Sequence, residues 1–339
     1  MNELVKAIQA EAWAILPTRL EGMLAAAKSG LEIKAARRSQ QQQGAVAVIP
    51  VYGTITQRGG GLFEMMFGGT SAEALTSQIR AAMGEESIKA IVLDVDSPGG
   101  TVSGVQEAFE SIYAMRGQKP ITAVANSLMA SAAYWLASAA DTIVVTPSSQ
   151  TGSIGVFTVH EDISAMAEKA GVKVTMISAG KYKTEGNEFE PLSDEARAAI
   201  QRRVDNYYSS FTGAVAKGRG VTPSAVRGGF GEGRVVGADE AVSLGMADRI
   251  GTLESTLAGF GVSGYSAMRA ESSEELVAAI RRNADEITKT REEIAANAEW
   301  TDKAMAEGFE KAVAAIEEES GKVVGQWEVE RERARWDAA

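Results

Sequence analysis

Cysteine is absent from all 339 residues. Disulfides, thiolate metal sites and a cysteine nucleophile are excluded together. Histidine occurs once, at His160. A His-rich metal site is therefore excluded, and a Ser-His-Asp triad rests on that one residue. Basic charge is scarce: 34 Lys and Arg against 45 Asp and Glu leave a net charge of -11 and a pI near 4.9. A nucleic-acid partner is disfavoured, because phosphate binding needs a basic face. No apolar run reaches the ~18 residues of a membrane span. The first 24 residues carry Glu3, Lys6, Glu11 and Arg19 throughout, which reads as an amphipathic helix, not a secretory signal. A cytoplasmic protein is expected, with no metal and no cofactor. Two familiar motifs are also lacking. Thr175 stands where a Walker loop ending in Gly180-Lys181 needs glycine. Thr151 replaces the first glycine of a Gly-x-Ser-x-Gly elbow around Ser153.

Ordinary apolar content allows a sizeable core. Residues 1–43 read as a helical arm, interrupted at Pro17, followed by a linker over 36–43 that includes four glutamines. The bland reading of this arm is docking or dimerisation. At Gly44 the composition changes to a Val/Ile-rich buried strand. A glycine-flanked apolar loop follows, with Leu62, Phe63, Met65, Met66 and Phe67. It reads as an interface or a pocket wall. Helices and strands then alternate: helix 72–83, strand 88–95, helix 102–115, strand 121–124, helix 131–139, strand 142–145, helix 162–170, strand 172–177. This predicts an α/β fold with a mainly parallel sheet flanked by helices. A long helix over 193–217 and a short one over 238–244 complete a globular part ending near 262. Residues 263–339 form an acidic tail read as helical. From Glu271 onward it holds 18 acidic against 10 basic residues, -8 of the chain's -11. Ile280, Ile287 and Ile294 recur at sevens, too briefly for a coiled coil.

Three stretches carry candidate chemistry. Ser131 opens the 131–139 helix between Ala130 and Ala132. Its hydroxyl either caps that helix or faces a cleft kept open by small neighbours; taken alone, capping is favoured. Asp96-Ser97-Pro98-Gly99-Gly100 follows a strand. It is either a tight turn or bare backbone N–H groups at the carboxyl edge of a parallel sheet, as an oxyanion hole requires. Ser178-Ala179-Gly180-Lys181-Tyr182-Lys183 ends another strand. Most lysines are solvated, but a desolvated one loses its proton more easily and serves as a base. His160 reads as a cap or surface residue. The serine chemistry left is a Ser-Lys dyad.

These stretches, in this order and together with the run from Met129 to Val156, resemble the signal peptide peptidase A (protease IV) family of serine peptidases. The phage capsid-assembly proteases are the nearer branch. The resemblance covers about 44–262 and implies a Clp protease/crotonase-like fold. It places the nucleophile at Ser131, the general base at Lys183 with Lys181 as the neighbour open to confusion, and a lysine-orienting hydroxyl at Ser153. It places the oxyanion-hole amide at Gly99, or less readily Gly100, with Ala132 as second donor. It further implies a homo-oligomer with neighbouring subunits lining the cleft, protein or peptide substrates, and phage coat, portal or scaffold proteins as partners. The acidic tail then reads as a scaffold-like segment, or as an ordinary solvated tail.

The expected function is a Ser-Lys endopeptidase of capsid maturation that cleaves scaffold or itself. Alternatives are a soluble signal-peptide-degrading peptidase and a non-proteolytic assembly scaffold on the same fold. An acyl-CoA enzyme of the crotonase type shares the glycine-rich oxyanion hole but leaves the spacing of Ser131 and Lys183 unexplained.

Overall fold

The computed structural model describes residues 3–29, 40–59 and 68–262. The described residues belong to one compact unit. It begins with α1 (Glu3–Ala10), β1 (Trp13–Ile15) and α2 (Pro17–Ser29). Then come β2 (Gln41–Gln43), β3 (Val46–Thr56), β4 (Thr70–Ser71), α3 (Ala72–Gly84), β5 (Ala90–Thr101) and α4 (Val105–Tyr113). β6 (Ile121–Ala130), α5 (Ala132–Ala137), β7 (Thr142–Val145), β8 (Gln150–Gly152) and α6 (Ser164–Lys169) follow. The unit closes with α7 (Asp194–Arg219), α8 (Pro223–Gly229), β9 (Val235–Gly237), α9 (Ala238–Ser243), β10 (Arg249–Ile250) and α10 (Leu253–Gly259).

The strands form one sheet with the spine β10-β7-β6-β5-β3-β2. Every pairing along it is parallel except β2 with β3. A parallel sheet needs cover on both faces. β3 shows how the sequence supplies it: Ala47, Ile49 and Val51 enter the main core, while Val46 and Val48 enter a second cluster closed by Leu253 and Leu257 of α10. Side chains of successive residues point to opposite faces, so a continuous Val/Ile run fills both layers. α3 buries Leu75 and Ile79 and is capped by Ser71, whose hydroxyl accepts from the Ala74 N–H. Each such buried aliphatic side chain stabilises the fold by about 1.5–3 kcal/mol. α7 starts at Ser193, which accepts from Ala196 N–H, and stops at Gly220 in the left-handed region. No helix among the described residues is long and apolar enough to cross a membrane.

The mixed α/β architecture and its mostly parallel sheet agree with the sequence reading. Several elements differ. Trp13–Ile15 is a strand inside what reads as helix, and Pro17 starts α2 instead of merely interrupting a helix. Proline suits a first helical position because its missing N–H would have no partner there. Gln41–Gln43, read as linker, pairs with β3; backbone pairing does not depend on apolar side chains. β5 runs straight through Pro98-Gly99-Gly100, so this is not a tight turn. Residues 172–177 form no strand and are exposed, Ile177 at 96%. No neighbour in the described chain offers them a ladder, and a lone strand does not hold in water. The apolar loop at Leu62–Phe67 and the acidic tail lie outside the described residues.

Candidate active site

β6 delivers Ser131 and α5 carries the chain away from it. At this junction Ser131 has φ 57° and ψ -119°, a backbone conformation rare for any residue but glycine. Its N–H donates to the Gly152 carbonyl at 2.7 Å, and its carbonyl accepts from the Trp135 N–H at 2.9 Å. The main chain is therefore fixed from both sides. The hydroxyl does not cap α5. Ser131 is 1% exposed, and its Oγ has no hydrogen-bond partner among the described residues. A buried unsatisfied hydroxyl costs about 1–3 kcal/mol, and the backbone strain costs about as much again. The capping role favoured for Ser131 taken alone is thus overturned. A strained strand-to-helix turn presenting a serine is the geometry of a nucleophile elbow, reached here without the usual glycines.

β8 lies parallel to the end of β6, with Gly152 opposite Ala130. This register sets Ser153 beside Ser131. Ser153 also has positive φ, 52°, is 5% exposed, and is pinned by its N–H to the Arg234 carbonyl at 2.7 Å. Gly152 must be glycine: at its φ of 114° an added Cβ would stand 2.8 Å from the Arg234 carbonyl oxygen.

The glycines of β5 meet Ser131 directly. A Cβ at Gly99 would lie 2.9 Å from the Ser131 Cβ and 2.2 Å from the Ala14 carbonyl oxygen. One at Gly100 would strike the Ile55 carbonyl oxygen at 1.8 Å. The Gly99 N–H donates to Ser97 Oγ at 3.2 Å, and that hydroxyl donates onward to the Gly53 carbonyl at 2.6 Å. Ser97 was not among the residues singled out from the sequence. Its signal is modest: a serine two residues before a glycine that needs holding. Ala132 is fully buried at the first position of α5, where the N–H has no partner within its own helix.

Ser131, Ser153, Gly99 and Ala132 are therefore gathered at one place, with Gly100 next in line on β5. Lys183 is not among them. It lies in an exposed turn, and no hydrogen bond joins it to the partnerless Ser131 Oγ. Lys181 is also exposed, bonded to the Tyr182 hydroxyl at 2.8 Å and to Glu195 at 3.1 Å. The Tyr182 hydrogen bond, and after it Glu195, hold its ammonium above the ordinary lysine range. That disfavours Lys181 as a base. His160 sits apart, its Nε2 3.4 Å from the Asn187 carbonyl oxygen.

Residues 114–260 match the description peptidase family S49. The match takes in Ser131, Ser153 and Lys183, and begins beyond Gly99 and Gly100. Among similar proteins, the head-tail preconnector protein GP5 of Enterobacteria phage P21 is 36% identical over 205 residues, 60% of this chain and 40% of that protein. Capsid assembly protease C of Escherichia phage lambda is 35% identical over 213 residues, 63% of this chain and 48% of that protein. Protease 4 of Salmonella typhi is 30% identical over 216 residues, 63% of this chain and 34% of that protein. The chain thus spans less than half the length of these three relatives. The matched stretch includes the elbow, β8 and the lysine turn, but not the arm that carries β1.

Proposed function

We propose that this chain is a serine endopeptidase of phage capsid assembly, acting in the host cytoplasm by a Ser-Lys mechanism. The observation that carries the reading is the Ser131 elbow: a strained, buried serine with a free Oγ beside a glycine strand. Ser131 is the nucleophile. Lys183, as the neutral amine, takes its proton while Oγ attacks a peptide carbonyl. Ser153 orients the amine. Backbone N–H groups of Gly99, once turned from its 3.2 Å bond to Ser97 Oγ, or of Gly100, and of Ala132 stabilise the oxyanion, each donor lowering the barrier by about 3 kcal/mol. Lys183 then protonates the leaving amine, and water releases the acyl-enzyme. The phage relatives, at 36% and 35% identity, favour capsid assembly over signal-peptide degradation, since Protease 4 stands at 30%.

Assembly completes the site in this reading. Val172, Val174, Met176 and Ile177 are exposed apolar side chains just before the lysine turn. A homo-oligomer covers them and seats Lys183 in a cleft dry enough to hold it neutral. Coat, portal or scaffold proteins are the substrates and partners, and the acidic tail is a scaffold-like segment that is cut away. The test is intact mass over time, with and without coat protein, for wild type and Ser131→Ala. Loss of the tail from wild type alone is the expected result. Equal tail loss in both assigns the cut to another enzyme. No loss in either, with coat protein present, removes the protease reading.

A further inference from the structure

β1 lies where an extended peptide must lie to reach Ser131. It runs antiparallel to the end of β5, with Trp13 opposite Thr101, Ala14 opposite Gly100 and Ile15 opposite Gly99. The Leu16 N–H donates to the Pro98 carbonyl and the Val102 N–H to the Ala12 carbonyl, both at 2.9 Å. The other edge of β1 is taken by Phe157. Trp13 donates its N–H to the Phe157 carbonyl at 2.8 Å, and Phe157 donates back to the Trp13 carbonyl at 3.0 Å. The three-residue strand is thus bonded along one edge to the glycine strand and, through Trp13, on the other to the segment leaving Ser153. The Ala14 carbonyl oxygen and the Ser131 Cβ crowd the same point, the missing side chain of Gly99. A peptide carbonyl of the chain itself therefore stands close to the Ser131 side chain.

Strand addition of this kind is how a groove reads an extended peptide: main-chain bonds supply affinity, and alternate side chains supply choice. Ala14 faces the main core, whereas Trp13 and Ile15 pack into a separate cluster with Ile8, Leu20 and Met23 of the flanking helices. Trp13 Nε1 is satisfied at 2.8 Å by the Ile8 carbonyl of the same arm. The arm therefore carries a small cluster of its own, closed on one side by Phe157 and Val159 of the body. Its ion pairs to the body, Lys6 with Glu188 at 3.6 Å and Lys28 with Glu161 at 3.8 Å, join partly exposed groups and hold little. Its other ties to the body include the β5 ladder and the packing of Phe157 and Val159, contacts that an incoming peptide strand would itself make.

We propose that Trp13–Ile15 is a built-in pseudosubstrate. It fills the substrate groove, covers Ser131, and must be displaced before a substrate binds. Its sequence also states what the groove takes: an extended segment with a small side chain at the Ala14 position, flanked by large apolar ones. The function of the groove rests on the serine-peptidase reading, but its occupancy is measurable without turnover.

The experiment uses the full chain in a Ser131→Ala background and a fluorescein-labelled peptide of sequence AWAIL, followed by anisotropy. Trp13→Ala removes the largest anchor. Ala14→Pro keeps every anchor and deletes one ladder N–H. Circular dichroism establishes that both remain folded. Each is expected to bind the peptide about tenfold or more tightly than its parent, because the groove-open fraction rises. AWWIL, with the small residue enlarged, is expected to bind poorly. With Ser131 restored, both variants should react with a fluorophosphonate probe faster than wild type by a similar factor. Unchanged peptide affinity in both folded variants overturns the proposal. Gained peptide binding with no probe reaction in any version overturns the serine-peptidase reading and leaves the pseudosubstrate assignment standing.

Discussion

At the scale of single residues, the site is a set of backbone positions that only particular residues tolerate. Gly99, at φ 99° and in contact with both Ser131 and Ala14, is the most constrained. Gly99→Ala adds about 1–3 kcal/mol of backbone strain before any clash is counted. A lowered midpoint in thermal denaturation is expected, together with slower labelling of Ser131 by a fluorophosphonate. The two lysines separate cleanly. Lys183→Ala is expected to lower peptide turnover by about 10³-fold, the usual range for loss of a general base. Lys181→Ala should leave turnover within about twofold, because its proton is already held by Tyr182 and Glu195 at the surface. Steady-state rates of the two variants decide this, and equal losses would count against Lys183 as the base.

Elements hold those residues in register. Trp135 on α5 stacks on Phe211 of α7, centroids 4.5 Å apart and planes 7° from parallel. This contact anchors the short helix behind Ser131 to the longest helix among the described residues. Trp135→Ala should cost about 3–5 kcal/mol in urea denaturation, as expected for a buried aromatic truncation. Asp248 ties β7 to the end of α7: its Oδ2 accepts from the Ile143 N–H at 2.7 Å, and Arg219 grips both carboxylate oxygens at 2.7 and 3.0 Å. Burial alone would raise this carboxyl, but the Arg219 and Ile143 hydrogen bonds and the Arg219 charge hold it below the ordinary range. A folded-state value below the unfolded one of ~3.9 gives stability that is present above that pH and lost as pH falls through the folded value. Asp248→Asn should therefore melt lower than wild type at neutral pH. The gap should narrow on acidification below pH ~4. Melting curves of both proteins against pH test the sign.

Across the whole molecule, the Val172–Ile177 stretch gathers exposed apolar side chains close to Lys183 in sequence. Ile177, 96% exposed, stands six residues before Lys183. Large apolar side chains in a row at a surface mark an interaction site. Ile177→Asp is expected to shift size-exclusion elution toward the monomer and to lower turnover with it. A monomeric variant that keeps full activity would separate assembly from catalysis.

Much of this was legible in the order of residues. The Val/Ile runs and the βα alternation are local signals, and the sheet and its helices followed them. The small residues around Ser131 and the glycines after Val95 marked the elbow and its neighbour strand, because close backbone approach demands residues without bulk. Absent cysteine and a lone histidine restricted the chemistry before any fold was considered. What the order of residues left open depends on partners far away in the chain. Whether Ser131 caps or stays free is decided by its φ of 57° and by the Gly152 carbonyl, 21 residues on. Trp13–Ile15 reads as part of a helix until β5 and Phe157 offer it two edges. Gln41–Gln43 reads as linker until β3 pairs with it. A hydrogen-bond ladder is made by backbone groups common to every residue, so its partner is not written in the side chains. Tertiary structure alone chose those pairings, and with them what covers Ser131.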